Sequence, residues 1–325
     1  MTIYICIEAV LLVLLFKKKP HHIGYSLISI GLLLISAFRA ESVGTDVVNY
    51  IIEYNLHGIE TWKESFTNSE YTFAIYCKFL NVLGLKERGF LIATAILFAL
   101  LLMIALHVNH CDKILTFSLF YFAGLYLQSF CIIRQSLAIV TALISYSSLE
   151  KNYSIQMPYN KGRFQRFPIG FVIGMIIAIG FHPTVIVLFA LPVMMLFYGQ
   201  KRCRKPSVFL RDGILCMSAA LIILPVLYPF ILQHSKEKYQ VLYGGSYVTG
   251  PFGNWKSGIL LVTLYLIFYI AYYNNWKKLT EKENIIVGSV IMLAFACSSL
   301  SIINSTLGRT NLFFEGLMVL MLGKL

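Results

Sequence analysis

Charge is what this sequence has least of. Asp, Glu, Lys and Arg make up 13% of its 325 residues, about half the share of an average soluble chain. So few charges cannot solvate a surface of this size, which excludes a soluble enzyme, a disordered tail and a nucleic-acid-binding domain. Aspartate is scarcest, with Asp46, Asp112 and Asp212 the whole supply. There is no DxD pair, so the usual metal–nucleotide-sugar site is missing, and no GxxxxGK[ST] stretch, so no P-loop ATPase is present. Cys6, Cys77, Cys111, Cys131, Cys203, Cys216 and Cys297 are scattered without a CxxC pair. Neither a zinc site nor a disulfide framework is legible in them, and most are expected to be small apolar filler. Ionisable residues inside apolar runs come down mainly to Glu8 and Glu315, too few for the relay of a secondary transporter.

What the chain does have is hydrocarbon: 58% apolar residues and a mean hydropathy of +0.73. The apolar runs are Ile3–Phe16, Ile23–Phe38, Gly89–Val108, Ile114–Cys131, Ser136–Leu149, Phe167–Phe181, Thr184–Tyr198, Gly213–Leu232, Ser257–Tyr273, Ile285–Ile303 and Leu312–Leu322. A helix needs ~20 apolar residues to cross a bilayer, and helix is the default where backbone polar groups must be satisfied internally. Alternating segments of ~10 residues, the mark of a β-barrel, are absent. The expected fold is all-α: a polytopic transmembrane helix bundle of about 10–11 spans in a single integral membrane domain, 1–325, with short broken helices. Ile3–Phe16 is read as a span rather than a removed signal peptide, because Lys17–Lys19 follow it and no small-residue cleavage site does. Phe167–Tyr198 is too long for one span. Proline disfavours helix at the residue before it and suits the first turn of the next, so the run is split at Phe181-His182-Pro183-Thr184.

Alternating the segments across the membrane sorts the basic residues. Seventeen of the 27 Lys and Arg fall on one side, among them Lys17–Lys19, Lys151, Lys161, Arg163, Arg166, Lys201, Arg202, Arg204 and Lys205. That side is the cytoplasm by the positive-inside rule, and loop charge of this kind accounts for the net +12 without nucleic acid. The other side, with the N-terminus, is expected to be the outer one. The outer side carries a long loop, 39–88, in which seven acids offset five bases. Within it Tyr71–Leu85 has the spacing of an amphipathic helix lying on the membrane surface. A second outer loop, 233–256, is rich in Gly, Ser and Tyr. Trp62, Trp255 and Trp276 fall near span ends, as an aromatic belt requires.

Few polar residues stand at the outer ends of spans. Arg39 opens a segment that runs through Glu41, Gly44 and Asp46 to Tyr50. Arg134-Gln135 lies between the fourth and fifth segments, His182 at the proline break and Arg309 before the last run. Arginine near membrane depth is costly and faces a cavity or a partner. Its planar fork matches phosphate oxygens, and helix starts at Arg134-Gln135 and Pro183-Thr184 present N–H groups to an anion. Together they suit a diphosphate at the membrane surface, although each arginine alone could equally pair with a headgroup or with Glu41, Asp46 or Glu315. His182 has the ordinary pKa of ~6.5 that suits proton transfer, with a capping role as the bland alternative.

The segments Arg39…Val43-Gly44-Thr45-Asp46…Tyr50, Ile133-Arg134-Gln135-Ser136-Leu137-Ala138, Phe181-His182-Pro183-Thr184 and Leu307-Gly308-Arg309-Thr310 resemble, in order and spacing, the EpsG family. That family contains bacterial polysaccharide polymerases of the Wzy type. The chain departs from the pattern at its end, where Leu312–Leu322 is shorter than a full span. The resemblance implies a metal-independent glycosyltransferase without a cofactor. It would polymerise undecaprenyl-diphosphate-linked oligosaccharide repeat units into an O-antigen, capsule or exopolysaccharide, with lipid diphosphate leaving. Arg39, Arg134, Gln135 and Arg309 would hold the diphosphate. His182 would be the base for the acceptor hydroxyl, with Asp46 as the runner-up. The implied partners are the lipid-linked oligosaccharides, membrane lipid and a chain-length regulator protein, with no nucleic acid. A flippase or transporter of the same lipid would want cationic residues reachable from both sides. An acyltransferase acting on surface sugars would want its histidine near a cytoplasmic donor site.

Overall fold

The computed structural model describes residues 11, 22–40, 43–44, 46–156, 161–200, 205–233, 255–303 and 308–324. The expected span Ile3–Phe16, most of the loop 233–256, and Glu41, Ser42, Thr45 and Leu307 of the motifs lie outside the described residues. What is described is all-α apart from one hairpin: α1 His22–Phe38, α2 Val47–Ile59, α3 Trp62–Asn68, α4 Tyr71–Val82, α5 Glu87–Val108, α6 Lys113–Phe122, α7 Leu125–Gln128, α8 Ile133–Asn152, β1 Tyr153–Gln156, β2 Lys161–Phe164, α9 Ile169–Phe181, a 3-10 helix Pro183–Phe189, α10 Ala190–Gln200, α11 Pro206–Gln233, α12 Trp255–Asn275, α13 Glu281–Ile303 and α14 Asn311–Leu322. Five helical stretches, Glu87–Val108, Pro183–Gln200, Pro206–Leu224, Gly258–Lys278 and Glu281–Ile302, are long and apolar enough to cross a membrane.

Among the described residues the apolar runs are helices, with exceptions. The run Ile114–Cys131 is broken into α6 and α7. Gly124 sits between them at φ +76°, a left-handed conformation that glycine adopts without a Cβ penalty. The long loop 39–88 holds three helices, α2, α3 and α4, where the sequence pointed to one. Thr61 caps α3 through a capping box with Glu64, which accepts from the Thr61 backbone N–H at 2.7 Å. The basic segment after α8 folds as an antiparallel hairpin, with Ser154 opposite Arg163.

The chain forms two compact units. The first comprises 1–149, 168–186 and 319–325; the second comprises 150–167 and 187–318. In the first, α1 packs on α5, α2 on α4, and α4 on α9. Buried Asn109 ties the end of α5 to α8, donating to Leu143 O at 2.9 Å while also holding Ala105 O at 2.8 Å. In the second, α13 is the central helix, flanked by α11, α12 and α10. Small residues allow the approach: a Cβ on Gly213 would meet Phe295 Cβ at 3.0 Å, and one on Gly288 would meet the Phe209 ring at 2.5 Å.

Candidate functional site

The site starts where the chain leaves α1. Arg39 is only 7% exposed. Its Nη1 donates to Ser36 O at 2.7 Å, and its guanidinium lies 5.3 Å from the centre of the Phe130 ring. Arg88 in turn donates to the Arg39 carbonyl. Five residues on, Gly44 takes φ +110°, and a Cβ there would collide with the Phe130 carbonyl oxygen and lie 2.7 Å from Val47 Cγ2. Glycine is demanded twice over, by backbone conformation and by close approach. Asp46 occupies the N-cap of α2, with its own carbonyl accepting from Tyr50 N at 3.1 Å.

Helix α2 buries Val47, Tyr50, Ile51, Tyr54 and His57, a stripe at helical spacing. That stripe brings Tyr50 under Arg134, the second residue of α8. The Arg134 guanidinium is 5.4 Å from the Tyr50 ring centre and 5.5 Å from that of Phe73 on α4. Two carboxylates hold its Nη1: Glu53 of α2 at 3.1 Å and Glu70, the N-cap of α4. Ser69 Oγ donates to Glu53 at 2.5 Å. Among the described residues the buried Nε of Arg134 has no hydrogen-bond partner. Gln135, one residue on, is 1% exposed.

The carboxylate cluster extends along α2. His57, 2% exposed, bridges Glu53 (Nε2, 3.9 Å) and Glu60 (Nδ1, 3.2 Å). Lys78 of α4 donates to the His57 and Glu60 carbonyls at 2.9 and 2.6 Å. The Glu60 carboxyl is held below its ordinary pKa, first by the hydrogen bond from Asn68 and further by those from Ser65 and His57. Burial pushes the Tyr76 hydroxyl and the Cys77 thiol on α4 upward, so both stay neutral.

His182 lies at the proline break the sequence marked. It is the extended residue between α9 and the 3-10 helix, and its N–H closes α9 on Ala178 O at 2.9 Å. Its Nδ1 stands 2.7 Å from Thr184 Oγ1. Two residues earlier Gly180 lies against Thr72, where a Cβ would meet the Thr72 Oγ1 and come within 2.8 Å of its Cβ. The end of α9 is thereby pinned to the first turn of α4, two residues from Glu70. Arg39, Asp46, Arg134, Gln135 and His182 all belong to the first unit.

Arg309 belongs to the second unit, where it is exposed. Its loop is locked by Asn311, fully buried, whose Nδ2 donates to Ser301 Oγ at 2.8 Å, Gly308 O at 3.0 Å and Cys297 O at 3.2 Å. Tyr265 donates to Asn311 Oδ1 at 3.0 Å. Sequence reasoning missed Asn311, Glu53, His57 and Glu70. Glu53, His57 and Glu60 recur at helical spacing, a signal that could have been read. Glu70 meets an arginine 64 residues away, which no local pattern encodes.

A family model described as the EpsG family matches residues 22–323, nearly the whole chain, so the chain belongs to the EpsG family. No curated protein and no solved structure gives a significant match. The family and the five span-length helices make it a multi-pass membrane protein of polysaccharide biosynthesis.

Proposed function

With EpsG-family membership as the premise, we propose that the chain is a polysaccharide polymerase. It joins oligosaccharide repeat units carried on undecaprenyl diphosphate at the outer face of the bacterial cytoplasmic membrane. The observation that carries this reading is the family match over residues 22–323. That Arg39, Arg134 and His182 belong to the same unit is compatible with it.

In the proposed reaction a hydroxyl of one lipid-linked unit attacks the anomeric carbon of the chain on another. The bond from that carbon to the diphosphate oxygen breaks as the glycosidic bond forms. The lipid diphosphate leaves with the electron pair, and the hydroxyl proton passes to His182. Charge develops on the leaving oxygens, which is where preorganised guanidinium groups give most. Arg134 is assigned this role. Glu53 and Glu70 fix its Nη1, and its buried Nε has no hydrogen-bond partner among the described residues. Arg39 and Gln135 are assigned to the same diphosphate. The Thr184 contact at Nδ1 orients the imidazole, and proton transfer is assigned to Nε2. Asp46 is the runner-up base. Tyrosine and tryptophan of the loops 39–88 and 233–256 would stack on sugar rings, and a chain-length regulator is the proposed protein partner.

The test is deletion of the gene followed by sizing of the surface polysaccharide. Surface sugar reduced to single repeat units is expected. Loss of all surface sugar would replace the polymerase reading with a flippase.

A further inference from the structure

The proposed reaction leaves the basic hairpin β1–β2, in the second unit, unused. From Lys151 to Phe167 the chain carries Lys151, Lys161, Arg163 and Arg166 and no acid. The strand pairing sorts the hairpin by face. Tyr153 stands opposite Phe164, and Ser154 opposite Arg163. Side chains alternate along a strand, so the two aromatics share one face and Ser154 and Arg163 the other. The aromatic face is turned to the protein: Tyr153 is 1% exposed, its ring centre lies 5.4 Å from that of Phe164, and its hydroxyl donates to Met195 O at 2.8 Å. Arg163 is exposed. At the base of the hairpin Gln165 N donates to Asn152 O at 2.8 Å, which continues the pairing toward Lys151 and Arg166. Both are exposed, and Phe167 is 72% exposed. Lys151, Arg163 and Arg166 have no carboxylate partner among the described residues.

Depth gives this basic face its neighbour. Strand β2 packs on α10 and β1 on α13. Met195 lies five residues before the end of α10, about 7 Å along the helix axis. Helix α10 closes the stretch Pro183–Gln200, which is long and apolar enough to cross a membrane. The Tyr153 hydroxyl therefore reaches below the end of a span, at the level where hydrocarbon gives way to headgroups and tyrosine is at home. The hairpin lies against the span end rather than out in solvent. Its outward face then meets the headgroup layer, where cations without a carboxylate partner and an exposed aromatic complement anionic phosphates. A two-stranded hairpin is marginal on its own, and the protein covers only the aromatic face.

We propose that the outward face of the hairpin, Arg163 together with Lys151 and Arg166, binds the headgroups of anionic glycerophospholipids. Each base near an anionic leaflet strengthens such binding about fivefold, and the stretch holds no acid to compete for it. The contact clamps the hairpin to the bilayer and steadies α10 and α13, against which it packs. It needs no saccharide substrate and stands whether or not the chain is a polymerase. An acidic protein segment would match the charge, but it has no use for a tyrosine set below the span end or for Phe167 beside the bases.

The experiment uses the full-length protein in phosphatidylcholine nanodiscs with a trace of phosphatidylglycerol bearing a photoreactive headgroup. Photolysis followed by peptide mass spectrometry is expected to place the label on residues 151–167. Excess unlabelled phosphatidylglycerol should cut that labelling at least tenfold, while free glycerol phosphate leaves it within twofold. Arg163→Gln combined with Arg166→Gln should cut it at least fivefold. Both side chains are exposed, so this variant should unfold in detergent at the wild-type temperature. Arg163→Lys combined with Arg166→Lys keeps the charge and should keep at least half of the label. Label absent from 151–167 overturns the proposal, as does label undiminished in the glutamine variant or lost as fully in the lysine one. Competition by glycerol phosphate equal to that of the lipid overturns it too, making the face a free-phosphate site. Cross-linking of a polyglutamate peptide to 151–167 with no lipid label there would assign the face to an acidic protein instead.

Discussion

A guanidinium that already touches two carboxylates presents its fork differently from one that faces a ligand alone. Arg134 is fixed by Glu53 and Glu70 through Nη1 and stacked between Tyr50 and Phe73. An ammonium at this place keeps the charge and satisfies one carboxylate, but it has no second planar N–H set for a phosphate. Arg134→Lys is therefore expected to keep normal membrane abundance while polymer falls at least tenfold, read on gels of surface polysaccharide. Polymer near the wild-type level would reduce Arg134 to a structural ion pair. His182 is tested differently, because its contact with Thr184 explains the ring's position without explaining its use. General base catalysis is worth roughly 10²–10⁴-fold. His182→Gln keeps a side chain able to reach Thr184 but cannot take a proton. In a purified assay it should lose turnover in that range with lipid-linked substrate still bound. Normal turnover would make His182 a cap and Asp46 the base to examine.

Among the elements, α2, α3 and α4 show where sequence reading stops. Spans such as α5 and α13 were legible to within a few residues, because long apolar runs in a bilayer have no alternative to helix. Short helices such as α2 and α3 are marginal alone and owe their stability to the partner face, here α4 for α2. The break at Gly124 was illegible because a glycine inside an apolar run is compatible with an unbroken helix. The sequence motif did locate Gly44, and the structure supplies the reason for it. Gly44→Ala must strain a left-handed backbone and push on the Phe130 carbonyl, which costs about 1–3 kcal/mol. Thermal unfolding in detergent should shift down measurably, and membrane abundance should fall with it. Glu60 offers a pH test of the same element. Its carboxyl is held below the ordinary pKa, first by Asn68, so the charged form is favoured by folding. That contribution is fully present above the unfolded carboxylate pKa and is lost as pH falls through the lower folded value. Asn68→Ala removes the main cause and should flatten acid destabilisation of residues 57–70, followed by limited proteolysis from pH 6 to pH 3. An unchanged acid profile would show that Asn68 does not set it.

At the scale of the whole molecule the distribution of charge predicts which face of the membrane holds Arg39, Arg134 and His182. Seventeen of 27 basic residues fall on one side of the alternating segments, and the hairpin β1–β2 carries Lys161 and Arg163 among them. Moving those charges across a bilayer is opposed during insertion, so the hairpin is expected in the cytoplasm. The helices α2 to α4 leave α1 at the opposite end from Lys17–Lys19, in a segment where acids outnumber bases. They are expected outside, and the Arg134 cluster goes with them through Glu53 and Glu70. Single cysteines test this directly, in a background where exposed Cys216 and the other native cysteines are replaced by serine. Lys63→Cys, on the exposed side of α3, should react with a membrane-impermeant maleimide on spheroplasts. Arg163→Cys, exposed on β2, should react only after the membrane is opened. The reverse pattern would put the arginines and His182 on the cytoplasmic side. A polymerase acting on lipid-linked units at the outer face would then be impossible for this chain.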